Sequence, residues 1–204
     1  MQHKNFGRNQ VFQPSAAYTP ADEREVLQIL DRHRGQRIRA IGRLHSWSEA
    51  VIGDGVLLDL RRLNDIRLQP DGDQFVTVGA GCQIKRLLKE LDRDGATLHS
   101  LGLITEQTIA GAISTGTHGS GRHSMSHYVV GVRLARYDAS TGRAFIEELS
   151  AGEQLQAARC SLGSLGIILS VKLRCRAQYN VQEHFTESRR LSNVLDAETP
   201  FPLQ

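Results

Sequence analysis

The sequence predicts an α+β fold with two lobes, and three observations carry this prediction. Strand-like apolar runs alternate with amphipathic helical patterns along the 204 residues, as in domains that pack helices on sheets. The segment "VVGVRLARYDASTGRAFIEEL" has the pattern of an antiparallel hairpin. Glycine-rich segments typical of close ligand contact occur once in each half, as "AIGRLHSW" and "AGAISTGTHGSG". We therefore expect two lobes that hold a ligand between them.

The boundaries of these lobes follow from the order of the patterns. We place the first lobe at residues 1–65, the second, with a larger mixed sheet, at 66–176, and a polar tail at 177–204. Thr19 is a candidate N-cap for the first helix, "TPADEREVLQILDRHRG", and Ser150 is a candidate N-cap for the helix "AGEQLQAARC". The remaining elements are a helix in "QIKRLLKELDRDG" and strands in "RIRAIG", "GVLLDLRRL", "QFVTVGAG" and "GIILSVKLRC".

Composition excludes several classes of partner. The net charge is +3 and the Lys and Arg residues are dispersed, which argues against a nucleic-acid partner. No apolar run is long enough for a membrane span, and the N-terminus lacks the apolar core of a signal peptide. Three cysteines without metal-ligand spacing indicate free thiols in a reducing cytoplasm. We expect a cytoplasmic protein without a metal site, although His123 and His127 have a spacing that would suit a metal on a helix.

The segment "TIAGAISTGTHGSGRHS" combines small, hydroxyl and glycine residues around one histidine. Gly111, Gly116, Gly119 and Gly121 allow a ligand to approach the backbone closely, and exposed N–H groups beside a short helix suit phosphate oxygens. The segment is neither a Walker loop nor a Rossmann fingerprint. Two interpretations remain open from the residues alone: a diphosphate site, or a flexible glycine-rich surface loop.

The segment "AIGRLHSW" places a histidine directly after a predicted strand. Gly42 permits a ring to lie against the backbone, and Ser46 is positioned to orient the His45 ring by a hydrogen bond. A histidine in isolation is more often a partly buried, hydrogen-bonded residue. Trp47 suits either the core or the wall of a ligand site.

These segments occur in an ordered set, "GRLHSW", then "QTIAGAISTGTHGSG", then "GSLGIILSVKL", after the opening "KNFGRNQVFQPSAAYTP". The set resembles the FAD-binding domain of the aldonolactone and alditol oxidases, which are vanillyl-alcohol-oxidase-type flavoproteins with a PCMH-type FAD-binding domain. The resemblance extends from about Asn5 to Cys175. It implies the PCMH-type two-lobed fold and FAD as cofactor.

The resemblance also implies roles for individual residues. The loop Gly42, Arg43, Leu44, His45, Ser46 and Trp47 corresponds to the loop that wraps the flavin, and His45 to the histidine that bonds covalently to FAD. His118 is a competing candidate for the attachment. Residues Thr108, Gly111, Ala112, Ile113 and Ser114 correspond to the segment along the pyrophosphate, and Thr117, His118 and Gly119 to residues near the flavin. The backbone near Ile168 corresponds to the adenine contact.

The function that the resemblance implies is oxidation of a CH–OH group in a sugar-like small molecule, by hydride transfer to FAD. The family's cap domain, which binds the substrate, has no counterpart in these 204 residues, and the tail at 177–204 corresponds to its start. Catalytic residues therefore stay unassigned. A second possibility is a flavin-binding module that needs another chain, or self-association, to cover the flavin. A third is a protein that binds another diphosphate through the glycine-rich segment.

Overall fold

The computed structural model describes residues 2–49, 52–69, 74–120, 123–183, 185, 187 and 190–192. Most of the expected tail at 177–204, and Gly121 of the glycine-rich segment, lie outside these residues. The described helices are α1 (Glu23–Arg32), α2 (Ile84–Arg93), α3 (Ile109–Ser114) and α4 (Gly152–Arg159), with a 3-10 helix at Met125–Tyr128. The strands are β1 (His3–Lys4), β2 (Val11–Phe12), β3 (Ala16–Tyr18), β4 (Ile38–Ile41), β5 (Val56–Asp59), β6 (Ile66–Gln69), β7 (Phe75–Gly79), β8 (Ala96–Leu98), β9 (Val129–Tyr137), β10 (Ala144–Leu149) and β11 (Ile167–Ala177).

The first sheet contains three parallel strands in the order β3-β5-β4. Its central strand β5 is buried at Val56, Leu57 and Leu58, as the continuous apolar run "VLLD" predicts for a strand with neighbours on both sides. In this sheet Ile41 at the end of β4 pairs with Asp59 at the end of β5. The loops that follow these two strands therefore leave the sheet at the same edge.

The second sheet contains antiparallel pairs in the order β10-β9-β11-β7-β6, and β8 pairs with the end of β11. Its longest strand, β11, contacts β9, β7 and β8, so this one strand holds the sheet together. The helices and the mixture of parallel and antiparallel sheets confirm the predicted α+β class. Strands β1, β2, β3 and β8 were not predicted, because two or three residues carry too little alternation to be recognised. Strand β6 was not predicted either.

One hydrophobic core joins the two sheets. The apolar face of α1 (Val26, Ile29 and Leu30) belongs to the same buried cluster as β5 and the second sheet. Polar contacts add to this packing, because Arg133 of β9 donates to Glu23 of α1 at 2.9 Å. We keep the lobe boundary near residue 65 as a proposal, since it lies between the last strand of the first sheet and the first strand of the second.

Two predicted helix caps are wrong. Helix α1 begins at Glu23, and Asp22, not Thr19, is its N-cap, with the carboxylate accepting from the N–H of Glu25 at 2.8 Å. Helix α4 begins at Gly152, so Ser150 lies one residue too early, and Ala151 occupies the cap position. Within the part of the chain that the structure describes, no helix has the length and apolar character needed to cross a membrane.

The turn between β9 and β10 generates a prediction about pH. One carboxylate oxygen of Asp138 accepts from the Ser140 hydroxyl at 2.6 Å and from the N–H and hydroxyl of Thr141 at 2.7 and 2.9 Å. These bonds, that of Ser140 first, lower the pKa of Asp138 to about 2 from an ordinary value of 3.8. Because the pKa of Asp138 is lower in the folded than in the unfolded chain, its ionised carboxylate stabilises the fold above pH 3.8. This contribution is lost as the pH falls towards 2.

We therefore expect Asp138→Ala to lower the free energy of unfolding at pH 6 and to cost progressively less between pH 4 and pH 2. Urea denaturation of both proteins across this range measures the difference. Asp138→Asn, which keeps an acceptor oxygen, is the matched control and should cost less than Asp138→Ala at pH 6. A cost of Asp138→Ala that does not change with pH would contradict the assignment.

Candidate functional site

A cleft of about 400 Å³ lies at the edge where β4 and β5 end. The chain that follows β4, residues 42–47, is called the His45 loop below. The cleft is lined by the first four residues of this loop, by residues 3–6 of the N-terminus, by Ile41, Asp59 and Arg61 near the strand ends, and by Glu106. His45, which follows strand β4 as predicted, therefore lies at this cleft.

The His45 loop and the glycine-rich segment meet at Gly42 and Thr108. A Cβ atom added at Gly42 would collide with the Thr108 side-chain oxygen, so the absence of a side chain at Gly42 is what permits the contact. Thr108 is buried and is the N-cap of α3. The structure therefore brings together the two segments that the sequence singled out, one from each half of the chain.

An N-terminal clasp, defined here as residues 3–12, holds the His45 loop from one side. The Asn5 side chain donates to the carbonyl of Ser46 at 2.8 Å, the Phe6 N–H donates to the carbonyl of Leu44 at 2.8 Å, and the Asn9 side chain donates to the carbonyl of Trp47 at 2.8 Å. These contacts were missed by the sequence analysis. The only signal for them was the polar opening "KNFGRNQ", whose partners lie about forty residues away.

The backbone N–H groups of the His45 loop are left available. Among the described residues, no acceptor is found for any backbone N–H from Arg43 to Trp47. The loop therefore offers donors while its bonded carbonyls face the clasp. A run of unpaired N–H groups is an arrangement that binds anions.

Leu44 has a left-handed backbone, with φ of 57°. This conformation is unfavourable for a bulky L-residue by roughly 1–2 kcal/mol and persists only where the surroundings impose it. The bond from Phe6 to the carbonyl of Leu44 is one such constraint. Strain of this kind is common in ligand-binding loops.

The His45 ring packs against Phe6, with ring centroids 4.7 Å apart. Its Nδ1 atom is buried and has no hydrogen-bond partner among the described residues. The predicted bond from Ser46 to this nitrogen is therefore not formed, since the bonded group of Ser46 is its carbonyl, which accepts from Asn5. An unpartnered buried ring nitrogen is a fitting group for contact with a bound cofactor.

Charged side chains of both signs surround the cleft. Lys4, Arg43 and Arg61 are the cations, and Asp59 and Glu106 the carboxylates. Arg61 donates to Asp59 at 2.7 Å, and this hydrogen bond raises the pKa of Arg61. Neither member of this pair was predicted as a site residue from the sequence.

Helix α3 is less open to a ligand than its sequence suggested. The N–H of Ile109 donates to the carbonyl of Cys82 at 2.8 Å, and the N–H of Ala110 donates to the carbonyl of Ala80 at 3.3 Å. The N–H of Gly111 donates to the Thr108 hydroxyl at 3.4 Å. Ala112 and Ile113 are buried in the core. The Ser114 carbonyl accepts from the thiol of Cys160 at 3.4 Å and from the N–H of Leu162 at 3.3 Å.

The loop after α3 turns back toward residues 101–102. A Cβ atom at Gly119 would collide with the Leu101 carbonyl. The Thr117 N–H donates to Ala112 at 3.0 Å, and the exposed His118 ring contacts the carbonyl of Gly119 at 2.8 Å. Thr117, His118 and Gly119 are not among the residues that line the cleft.

Two other predicted site residues lie apart from the cleft lining. Ile168 is buried within β11 and pairs with Leu134 of β9. Trp47 is 63% exposed and is not a core residue; a Cβ atom at Gly7 would lie 2.9 Å from its ring. Trp47 therefore packs over the clasp.

His123 and His127 stack on each other with ring centroids 4.1 Å apart. Partial burial, followed by the charges of His123 and Arg159, lowers the pKa of His127. Within the described ranges there is no group of three or more His, Cys, Asp or Glu side chains suited to a metal ion. The stacked pair follows a helical spacing in sequence, although the structure shows a 3-10 helix that starts only at Met125.

Comparison with known proteins identifies the family. A model described as "FAD binding domain" matches residues 14–143, and the chain belongs to this family. FAD as the cofactor, predicted from the sequence, is thereby confirmed at the level of the family. The chain is similar to a long-chain alcohol oxidase of an uncultured marine euryarchaeote, at 85% identity over all of the chain and 43% of the relative.

More distant relatives support the same family. The chain is 34% identical to an L-gulono-1,4-lactone dehydrogenase of Mycobacterium tuberculosis, over 94% of the chain and 44% of the relative. Its fold is similar to that of cholesterol oxidase from B. sterolicum, with a TM-score of 0.77 and 18% identity over 86% of the chain and 37% of that structure. The resemblance to aldonolactone oxidases is confirmed, and the chain spans less than half the length of these relatives.

The contact between Gly42 and Thr108 predicts a coupled pair of substitutions. Gly42→Ala should lower the free energy of unfolding by about 1–3 kcal/mol, because the new methyl group displaces the Thr108 hydroxyl from a packed position. In a Thr108→Ala background the same substitution should cost less, since the colliding oxygen is gone. Chemical denaturation of the two single variants and the double variant measures the coupling. Equal costs in both backgrounds would contradict the contact.

The backbone of Leu44 predicts an inverted preference between two substitutions. Leu44→Asn should be more stable than Leu44→Val by about 1 kcal/mol, because asparagine tolerates the left-handed conformation and a β-branched residue does not. Packing alone would favour valine. Thermal and urea unfolding of the two variants decides between these outcomes, and a more stable Leu44→Val would show that position 44 is not held in this conformation.

Proposed function

We propose that the chain binds FAD at the His45 loop and is the cofactor-binding part of an enzyme that oxidises a CH–OH group. The observation that carries this proposal is the loop itself: the backbone N–H groups of residues 43–45 and the Nδ1 atom of His45 have no partner among the described residues, and these residues line one cleft. Membership of the FAD-binding domain family supports the cofactor, and the names of the oxidase and dehydrogenase relatives support the reaction class.

The residues present fit FAD in their donor chemistry. Backbone N–H groups of the His45 loop suit the two phosphates, and Lys4, Arg43 and Arg61 add positive charge around the cleft. We propose that the main role of the Thr108–Ser114 segment is to support the His45 loop through Thr108, because the first N–H groups of α3 already have acceptors within the protein. Contacts of residues 117–119 with the flavin and of the Ile168 backbone with adenine stay predictions.

The reaction separates into a hydride and a proton. When bound, FAD supplies the acceptor for the hydride that leaves the carbinol carbon. The hydroxyl proton needs a base within hydrogen-bond reach, and no catalytic base is assigned among the described residues. For the substrate we propose an alcohol, either the long-chain type in the name of the 85% identical relative or the sugar-like type in the name of the lactone dehydrogenase.

We further propose that the flavin is covered either by a second, different chain or by self-association with another copy of this chain. Phe6, whose ring packs on His45, and Trp47 of the loop are each 63% exposed. Large apolar side chains left in water favour burial against a partner. A cytoplasmic location is part of the proposal, because Cys82, Cys160 and Cys175 are all free thiols.

The proposed function predicts binding without efficient turnover. The 204-residue chain should bind FAD in a flavin-fluorescence titration and oxidise long-chain alcohols or gulonolactone slowly, because an uncovered flavin lacks a positioned base and exclusion of water. Anaerobic flavin bleaching on addition of each substrate measures the reaction. A folded chain that does not bind FAD would contradict the function, and rapid bleaching would contradict the need for a covering partner.

We propose that His45 is the residue that attaches covalently to FAD. After reconstitution with FAD and acid denaturation, flavin fluorescence should remain with the protein in gel electrophoresis. The signal should be lost in His45→Ala and kept in His118→Ala, which is the matched control because His118 is the other candidate. Loss of the signal only in His118→Ala would reverse the assignment, and free flavin from the unmodified chain would make His45 a non-covalent neighbour.

A further inference from the structure

Asn5 is a buried residue whose side chain has no role in the proposed function so far. It is only 3% exposed. Its side-chain oxygen accepts from the N–H of Gln10 at 3.0 Å, and its side-chain nitrogen donates at 2.8 Å to both Asn9 and the Ser46 carbonyl. A buried amide is costly unless its groups are bonded, so these bonds fix its orientation within the clasp.

The bond from Asn5 determines how the next peptide unit of the loop is turned. In a trans peptide the carbonyl of one residue and the N–H of the following residue point in opposite directions. Because the Ser46 carbonyl points at Asn5, the N–H of Trp47 points away from the clasp. The same argument applies to the Leu44 carbonyl, which accepts from Phe6, and to the N–H of His45.

Asn9 extends this arrangement by one peptide. Its side chain donates to the Trp47 carbonyl, which turns the N–H of Ser48 away from the clasp. The clasp therefore uses donors against three loop carbonyls, and the N–H groups on the opposite side have no acceptor among the described residues. A loop polarised in this way presents a positive face.

We propose that Asn5 is a positioning residue, which holds the His45 loop turned so that its N–H groups meet the diphosphate of the cofactor. This inference rests on the proposed function and adds to it a residue that does not itself contact the phosphates through its side chain. The left-handed Leu44 directly precedes the first peptide that the clasp holds, since its own carbonyl accepts from Phe6, so the clasp also maintains the strained turn.

The test uses Asn5→Asp in the full 204-residue chain. The carboxylate has the same shape and still accepts from Gln10, but it places an acceptor against the Ser46 carbonyl. We expect the dissociation constant of FAD to rise at least tenfold in a flavin-fluorescence titration. ADP, which carries the diphosphate without the flavin, should lose competing affinity by a similar factor, because the damage lies at the phosphates.

The matched control is Asn64→Asp. Asn64 makes the same kind of bond, from its side-chain nitrogen to the Arg61 carbonyl at 2.9 Å, in an exposed turn. The FAD affinity of the Asn64→Asp variant should stay within twofold of the FAD affinity of the unmodified chain. General destabilisation by an Asn→Asp change would weaken binding in both variants, whereas a positioning role weakens it only in Asn5→Asp.

Three outcomes would overturn the inference: unchanged FAD affinity in Asn5→Asp, a loss for FAD without a loss for ADP, or an equal loss in the control. If circular dichroism shows that Asn5→Asp does not fold, Asn9→Asp replaces it, since Asn9 is exposed and bonds the neighbouring carbonyl. Asn9→Asp should weaken FAD and ADP about threefold, and no change would again overturn the inference. An unmodified chain that binds neither ligand overturns the proposed function as well.

Discussion

The approach of Gly42 to Thr108 is the constraint on which the candidate site depends. It joins the end of β4 in the first sheet to the start of α3 beside the second, so the His45 loop and the glycine-rich segment have a fixed relation. The backbone of Thr108 is fixed in place, because Thr108 forms a β-bridge with Gln83 and its carbonyl accepts a hydrogen bond from the N–H of Ala112. The close approach therefore has to be accommodated at Gly42, where only hydrogen fits.

The polarity of the loop explains how a diphosphate can be held with few dedicated cations. The clasp occupies three carbonyls of the His45 loop, those of Leu44, Ser46 and Trp47, and turns the N–H groups that follow them away from itself. The cations around the cleft are partly offset by Asp59 and Glu106, and Arg61 is already bonded to Asp59. The backbone is therefore the part of the site whose charge is not neutralised by the protein, and oriented backbone dipoles are well suited to phosphate.

Much of the fold could be predicted from the sequence, because α1, α2, α4 and the longer strands carry their own periodic patterns. The position of His45 was also predictable, since a strand, a glycine and a histidine are adjacent in the chain. The use of the α3 N–H groups by Cys82 and Ala80 was not predictable, because those carbonyls reach α3 only in the tertiary fold. Asn5 was missed for the same reason, as its partner Ser46 is 41 residues away.

Phe6 links the strain in the loop to the placement of the histidine. Its N–H bonds the carbonyl of Leu44, the residue with the unfavourable backbone, and its ring packs on His45, the next residue. One residue of the clasp thus supports both the turn and the ring that the turn presents. Because Leu44 carries a side chain where a left-handed backbone favours glycine, the turn needs this outside support. The N-terminal clasp therefore belongs to the site, although it is separated from the His45 loop by a helix and two strands.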